Sequence, residues 1–532
     1  MGVYLNPGNS AFRQVLNDTY IDKTGMISII NGTINTPRSL TCISRPRRFG
    51  KSYAAQMLCA YYDKTCDSYE LFDDKKIAND YSYEDHLNKY DVIYIDMTNL
   101  KLFTDSYKLL IPYICQAIQE ELYEAYPSLE HGHDLTGTLV RAAELAGNKF
   151  IMIIDEWDAP IRENPSIQVE YLHFLRTLFK SSATTARIFA AAYMTGILPI
   201  KKDGSQSAIS DFKEYSVLDP GPFAAYTGFT EEEVYKLCAD YDMSFEKARS
   251  WYDGYCFGNE ESVYNPYSVM CAVQNHKYRS YWRKTSAVES LQTYIDMDYE
   301  GLQDDVVKLI SGEMIEVNPI TFENDFQSFQ GKDDVLTLLI HLGYLSYEEL
   351  HDGYGDEDDE MEYTGYVRIP NEEIRQEFRQ IIRKGRHQEF LRLIQCSDTL
   401  LENTIKGEEE KVANSIAAIR DSEYAPNFYN DEQSLRYVIK FAYITCVDQY
   451  SKIEELPSGH GIADVIFLPK RRSALPALLV ELKWNKAPEA AIRQIRDRNY
   501  PAILKNYGGE IVLVGISYNE KTKEHSCKIE RV

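Results

Sequence analysis

The stretch Ser44-Arg45-Pro46-Arg47-Arg48-Phe49-Gly50-Lys51-Ser52 constrains this chain most, because it ends in the Gly-Lys-Ser of a phosphate-binding loop and carries three arginines ahead of it. The usual pattern has glycine five residues before Gly50, where this chain has Arg45, so the flanking sequence has to decide. Ser39 to Ser44 reads as a short strand and Tyr53 to Tyr62 as a helix, the strand, loop, helix order that such a loop requires. In that setting, backbone N–H groups at the helix start face phosphates, Lys51 reaches the outer phosphates as a point charge, and the Ser52 hydroxyl ligates Mg2+. The alternative is a basic turn before an ordinary helix.

A second feature favours the phosphate reading. In Lys149 to Pro160 an unbroken apolar run from Phe150 to Ile154 leads directly into Asp155-Glu156, as when a buried parallel strand delivers acids to its C-terminal end. Asp155 is then placed to hold Mg2+ through water and Glu156 to orient an attacking water, the two tasks a phosphohydrolase needs beside a phosphate cradle. Asp91 to Thr98 and Arg187 to Gly196 read as further strands, and Tyr107 to Tyr126, Gly137 to Ala146 and Tyr171 to Lys180 as helices. This alternation predicts an α/β layer with a parallel sheet. Thr195 ends its strand either as a γ-phosphate sensor or as a capping threonine.

The other end of the chain carries an independent constellation, His460 to Pro469 followed by Ala477 to Trp484, both read as strands. Paired as a hairpin, they could bring Asp464 and Glu481 to one divalent cation with Lys483 alongside. Carboxylates that hold Mg2+, a metal-activated water and a lysine that positions it make up the chemistry of phosphodiester cleavage. Ordinary surface charge at alternating strand positions is the alternative, since residues two apart share a face. An amphipathic helix at Ala487 to Lys505 follows, with Gln494, Tyr500, Arg493, Arg496 and Arg498. Its arginines suit a phosphate backbone or a solvated helix face equally. Glu432 is an additional metal-ligand candidate.

The residues together resemble a family of bacterial proteins that join an N-terminal AAA-ATPase-like domain to a C-terminal nuclease domain of the PD-(D/E)XK superfamily. The resemblance is carried in order by Tyr20-Ile21-Asp22-Lys23-Thr24, Arg45 to Ser52, Thr195-Gly196, Trp251-Tyr252-Asp253-Gly254-Tyr255, Tyr264-Asn265-Pro266 and Glu481-Leu482-Lys483-Trp484-Asn485. It implies that the arginine-rich loop is the family's own version. It also implies ATP at Lys51 and Ser52, with water handling at Asp155 and Glu156; Arg47, Arg48, Phe49, Gly50 and Thr195 are further candidates for the nucleotide site, Arg47 and Arg48 either supplementing Lys51 at the triphosphate or pinning the loop to nearby acids. Mg2+ is implied at Ser52 and Asp155, and a nuclease metal at Asp464 and Glu481 with Lys483 as the third catalytic group. The expected functions are an ATPase that regulates a Mg2+-dependent nuclease, or a nucleotide-dependent switch whose nuclease fold binds nucleic acid or a partner without cutting.

The expected fold is multidomain α/β. A P-loop ATPase domain spans 1–203, a helical lid 204–329, a winged-helix-like module 330–384, and a helical connector with a restriction-endonuclease-like domain 385–532. Within the lid, Thr230 and Glu233 form a capping-box pattern. The module is read from a helix at Asp334 to Gly343 and strands beginning at Tyr344 and Tyr363, separated by Glu348 to Glu362, which has nine acids and no Lys or Arg. That acidic stretch is an exposed loop or a mask over a basic surface.

The net charge of -25 argues against a protein that coats DNA, because duplex binding draws on phosphate neutralisation. From Ser451 to Val532, however, 14 Lys/Arg against 10 Asp/Glu give +4, so the expected nuclease domain is the basic end. Nucleic acid is the expected partner, DNA ahead of RNA, together with a homo-oligomer or a partner protein. Arg162, Arg176 and Arg187 stand open as groups that complete a neighbouring ATP site or as structural cations. No run approaches the ~18–20 apolar residues of a membrane span, and Met1 to Pro7 lacks a signal-peptide pattern. Ten cysteines, several in apolar stretches and none in zinc-type pairs, favour a reducing cytoplasm.

Overall fold

The computed structural model describes residues 2–98, 109–180, 182–200, 202–203, 206–207, 209, 211–282, 301–310, 312–323, 329, 331–349, 365–384, 388–423, 435, 439, 442–443, 450–454, 465–469, 475–497 and 509–532. Two compact units divide the chain: Met1–Asp305 with Met314–Arg375, and Val306–Glu313 with Gln376–Val532.

The first unit is built on β1 (Leu40–Ser44), β2 (Asp91–Asp96), β3 (Phe150–Asp155) and β4 (Phe189–Gly196). A short ribbon, β5 (Lys202–Asp203) and β6 (Gln206–Ser207), precedes β7 (Lys213–Tyr215). The main sheet runs β2-β3-β4-β1-β7 with every neighbouring pair parallel. The strands β1 to β4 are largely apolar on both faces because both faces are covered. Phe150, Met152 and Ile154 join a core with the helices Leu110–Ala125, Leu135–Ala146 and Gln168–Phe179, whereas Ile151 and Ile153 join another with the helix Lys51–Tyr62.

The sequence expectation of a parallel α/β layer therefore holds, with one strand unanticipated. β7 lies within 204–329, where helix was expected. At three residues with alternating charge it has no periodicity to read. The same region also holds β8 (Phe229–Thr230), β9 (Tyr255–Phe257) and β10 (Glu260–Tyr264), a three-stranded sheet in the order β8-β10-β9. β9 and β10 turn through Gly258-Asn259, with Gly258 at φ +58° and Phe257 paired to Glu260. That two-residue hairpin signal was present in the sequence. The capping box is formed as expected, Thr230 and Glu233 opening the helix Glu231–Asp240.

A third sheet, β11 (Ile315–Val317), β12 (Ser346–Glu349) and β13 (Gly365–Arg368), runs β11-β13-β12 and accompanies the helix Lys332–Leu342. The expected helix and two strands are there, and β11 adds a strand from before residue 330. Most of the acidic stretch, from 350 onward, lies outside the described residues.

The Trp251 to Tyr255 motif joins these layers. Asn371 donates to the Asp253 carbonyl at 2.8 Å, and the Tyr255 hydroxyl donates to the Gly343 carbonyl at 2.8 Å. Gly254 sits at φ +103°, and a Cβ there would lie 2.1 Å from the Pro370 oxygen. Gly254→Ala is therefore expected to destabilise the first unit by about 1–3 kcal/mol or more. A calorimetric melt checks this, and an unchanged melting temperature contradicts it.

The second unit holds β14 (Tyr450–Glu454), β15 (Val465–Pro469), β16 (Ala477–Trp484), β17 (Ile511–Asn519) and β18 (Glu524–Arg531), ordered as numbered. Only β16 and β17 are parallel. On one face Leu478, Val480 and Leu482 pack with residues of the helices Gln388–Lys406 and Glu409–Glu423. On the other, Ala477 and Leu479 meet Ile492 and Ile495 of the helix Pro488–Asp497. Gly515 permits that approach, since a Cβ there would lie 2.5 Å from the Pro488 oxygen. Of the expected helix at Ser434 to Cys446 only 435, 439 and 442–443 are described, and Glu432 is not among them.

Candidate active site

Strand order assembles the site in the first unit. β4 lies between β1 and β3, with Ile43 opposite Thr195 and Ile154 opposite Met194, so the phosphate-loop strand, Thr195 and Asp155 end side by side. Two backbone bonds tie these ends: Arg45 N–H to the Gly196 oxygen at 3.0 Å and Trp157 N–H to the Thr195 oxygen at 2.9 Å.

The loop itself turns through Arg48 at φ +69° and Gly50 at φ +87° before the helix begins at Lys51. A Cβ on Gly50 would meet nothing within 4 Å, so the glycine is required by conformation and not by crowding. The Lys51 ammonium donates to the carbonyls of Arg45 and Pro46 at 3.1 and 3.0 Å and lies 3.4 Å from Glu156 Oε1. Its side chain is only 3% exposed. Ser52 is half-buried at the first turn of the helix.

The arginines have distinct surroundings. Arg45, in place of the expected glycine, is fully buried. Its Nε donates to Thr227 Oγ1 at 2.8 Å, its Nη1 to the carbonyls of Ser44 and Tyr215 at 2.9 and 2.8 Å, and its guanidinium lies over the Phe257 ring. It straps the phosphate loop to β7 and to the chain entering β8. Arg48 donates to the Tyr281 oxygen at 2.7 Å and stacks 4.1 Å from the Tyr267 ring centroid. Phe49 buries its ring against Tyr255 and Phe257. Arg47 is half-buried, its pKa lowered first by burial and then by Arg162, with Glu156 opposing. A cleft of about 850 Å³ opens beside Gly50, Lys51 and Ser52, walled by Tyr20, Phe229 and Tyr267 among others.

At the acid end, Asp155 is 2% exposed and its Oδ1 has no hydrogen-bond partner among the described residues. Burial pushes its pKa up to about 7, the Ser52 hydroxyl draws it back, and Glu156 and Asp96 raise it. Thr195 Oγ1 is likewise buried and meets no hydrogen-bond partner of good geometry among the described residues. Such groups are costly to leave unsatisfied, so two of them at adjacent strand ends point to a polar ligand. The folded Asp155 holds its proton to higher pH than an unfolded aspartate, so the folded chain binds more protons between 3.8 and about 7. Its contribution to stability accordingly falls as pH rises through that window. In chelator and without nucleotide, Asp155→Asn is expected to flatten the loss of melting temperature between pH 5 and pH 8 by removing this group's share, which a pH series of melts checks.

Sequence reasoning left Arg162 open between a neighbouring ATP site and a structural cation and missed Asp158, although their four-residue spacing on a helix was a signal. Arg162 Nη2 meets Glu156 Oε2 at 2.6 Å and its Nε meets Asp158 Oδ2 at 2.8 Å. Asp158 in turn accepts the N–H groups of Ile197 and Leu198.

In the second unit, Glu481 and Lys483 lie on one face of β16, 2% and 7% exposed, with Lys483 Nζ 2.9 Å from Glu481 Oε1. Asp464, Arg498 and Tyr500 lie outside the described residues. Arg496 pairs with Glu530, and Arg493 donates weakly to the Glu489 oxygen. Among the described residues no group of three His, Cys, Asp or Glu gathers as a metal cage, and no helix is long and apolar enough to cross a membrane.

A protein of Azotobacter chroococcum mcd 1 described as "Uncharacterized protein in vnfD 5'region" is 29% identical over 155 residues. The match covers 28% of this chain and 30% of that protein's length. Among solved structures, the ORC1 protein of Aeropyrum pernix in complex with DNA is 10% identical with a TM-score of 0.27, covering 71% of this chain and 97% of that one. The ORC2 protein of the same organism, in ADPNP-ADP complexes, is 11% identical with a TM-score of 0.28, covering 70% and 98%. At those scores neither likeness bears on the present site. Residues 8–205, which hold the phosphate loop, Asp155, Glu156 and Thr195, match the model of the AAA-ATPase-like family, a predicted AAA-ATPase.

Proposed function

We propose that the first unit binds and hydrolyses ATP, and that its nucleotide state regulates phosphodiester cleavage by the second. The observation that carries the first part is the convergence of Lys51, Ser52, Asp155, Glu156 and Thr195 at the ends of three adjacent parallel strands, with Lys51, Ser52 and Glu156 lining one cleft. Lys51 binds the outer phosphates, and the N–H groups at the start of its helix face them. Glu156 orients the attacking water and accepts its proton, while Thr195 offers a hydroxyl to the terminal phosphate.

Ser52 and Asp155 suit Mg2+: both offer hard oxygen donors, and Asp155 Oδ1 is buried without a partner among the described residues. Mg2+ in nucleotide sites needs only one or two carboxylates, the phosphates supplying the rest. Bound there, it would offset negative charge on the phosphate oxygens.

For the second unit, Glu481 and Lys483 on one face of β16 support the cleavage reading, with Asp464 as the further carboxylate. The test is digestion of single- and double-stranded DNA and RNA with Mg2+, with and without ATP. Glu481→Gln and Asp464→Ala are each expected to lower cleavage by about 10²-fold or more. Full cleavage by both variants overturns the nuclease assignment.

The burial and mutual pairing of Glu481 and Lys483 favour a second reading, in which the pair is structural and the fold binds nucleic acid or a partner without cutting it. That reading predicts binding indifferent to Mg2+ and no products.

A further inference from the structure

Glu156 is constrained in both backbone and side chain. Its backbone is left-handed at φ +51°, a conformation that costs a non-glycine residue about 1 kcal/mol or more, and its two oxygens are divided between two cations. Oε1 faces Lys51 at 3.4 Å and Oε2 faces Arg162 at 2.6 Å. Arg162 is fixed from behind by Asp158 at 2.8 Å, and Asp158 is fixed by the N–H groups of Ile197 and Leu198, directly after Thr195-Gly196. Gly196 keeps that path open, since a Cβ there would lie 2.6 Å from Asp158 Oδ1. Burial alone would lower the Arg162 pKa, but Asp158 and Glu156 together hold it above the ordinary value, so the guanidinium stays charged. Arg47 is a third cation close to the same carboxylate.

We infer that Arg162 is a positioning residue that competes with Lys51 for Glu156, so that a triphosphate claiming Lys51 frees one carboxylate oxygen for water while Arg162 keeps the other. The inference rests on the proposed ATP site. A phosphate that takes the Lys51 ammonium must displace Oε1, and that displacement is easier because Oε2 already has a stronger, shorter contact. With Arg162 removed, Glu156 has Lys51 as its main partner and opposes the phosphate. With Glu156 neutralised, Arg162 has nothing left to divide.

Titration of the full chain with a fluorescent N-methylanthraniloyl ATP tests this in wild type, Arg162→Gln, Glu156→Gln and the double variant. Glu156→Gln is expected to tighten binding roughly three- to tenfold, and Arg162→Gln to weaken it by a similar factor, as for coupled charge pairs in direct contact. In the Glu156→Gln background, Arg162→Gln is expected to change nothing. Arg162→Lys, which keeps the charge and loses the fork, is expected to recover part of the affinity and serves if the glutamine variant fails to fold. An equal loss in both backgrounds would make Arg162 a structural partner of Asp158 only and overturn the inference, as would unchanged binding by Arg162→Gln and Arg162→Lys. If wild type binds no analogue, the ATP site itself is wrong and this inference goes with it.

Discussion

Lys51→Ala is expected to weaken ATP binding about 100-fold or more, a loss of about 2.7 kcal/mol. Its ammonium is the one cation of the Gly-Lys-Ser loop seated at the helix start, with its chain buried and its head fixed by the Arg45 and Pro46 carbonyls. Charge-assisted hydrogen bonds contribute about 1.5–3 kcal/mol each, and the outer phosphates offer more than one acceptor. Fluorescence anisotropy with an ATP analogue reads the effect, and a melt separates it from unfolding. Arg48→Ala serves as contrast. Its guanidinium is already engaged by the Tyr281 oxygen and the Tyr267 ring, so its loss is expected to cost less than tenfold. Equal losses in the two variants would assign the phosphate to the arginines instead.

Glu156→Gln is the second large effect. The substitution keeps shape and removes the base, so ATP turnover is expected to fall by about 10²–10⁴-fold while binding tightens. Asp155→Asn is expected to lower turnover comparably but to show a weaker response to Mg2+, because it removes the carboxylate assigned to the ion. A phosphate-release assay over a Mg2+ series distinguishes them. Turnover in Glu156→Gln equal to wild type contradicts the assigned role.

Much of the first unit was legible because its chemistry and its burial coincide in short segments. Phe150 to Asp155 reads as a strand since five apolar residues run unbroken into acids, and it is one. The helix after the loop was read from Tyr53 and begins at Lys51, an offset set by Gly50 at φ +87°, which a residue pattern does not encode. What could not be read were connections made by isolated side chains. Arg45 appeared as a broken glycine position; its bonds to Thr227 and the Tyr215 oxygen reach 182 and 170 residues along the chain, beyond any local pattern. The order β2-β3-β4-β1-β7, which sets Thr195 between the loop and the acids, follows from pairing over long separations and not from periodicity. Short strands such as β7 and β9 carry too few residues to show a period of two. In the second unit, Glu481 and Lys483 were read as sharing a face and do, but their burial against the β16 neighbourhood was not visible from alternating charge.

ATP binding at the phosphate loop is tested most sharply by a structure of the full chain with Mg2+ and a non-hydrolysable ATP analogue. Phosphates are expected at the Lys51 ammonium and the N–H groups of Gly50 to Ser52, with the Lys51–Glu156 contact opened, the Glu156–Arg162 contact kept, and the ion near Ser52 and Asp155. An analogue seated away from Lys51, or one that leaves the Lys51–Glu156 pair intact, would contradict it.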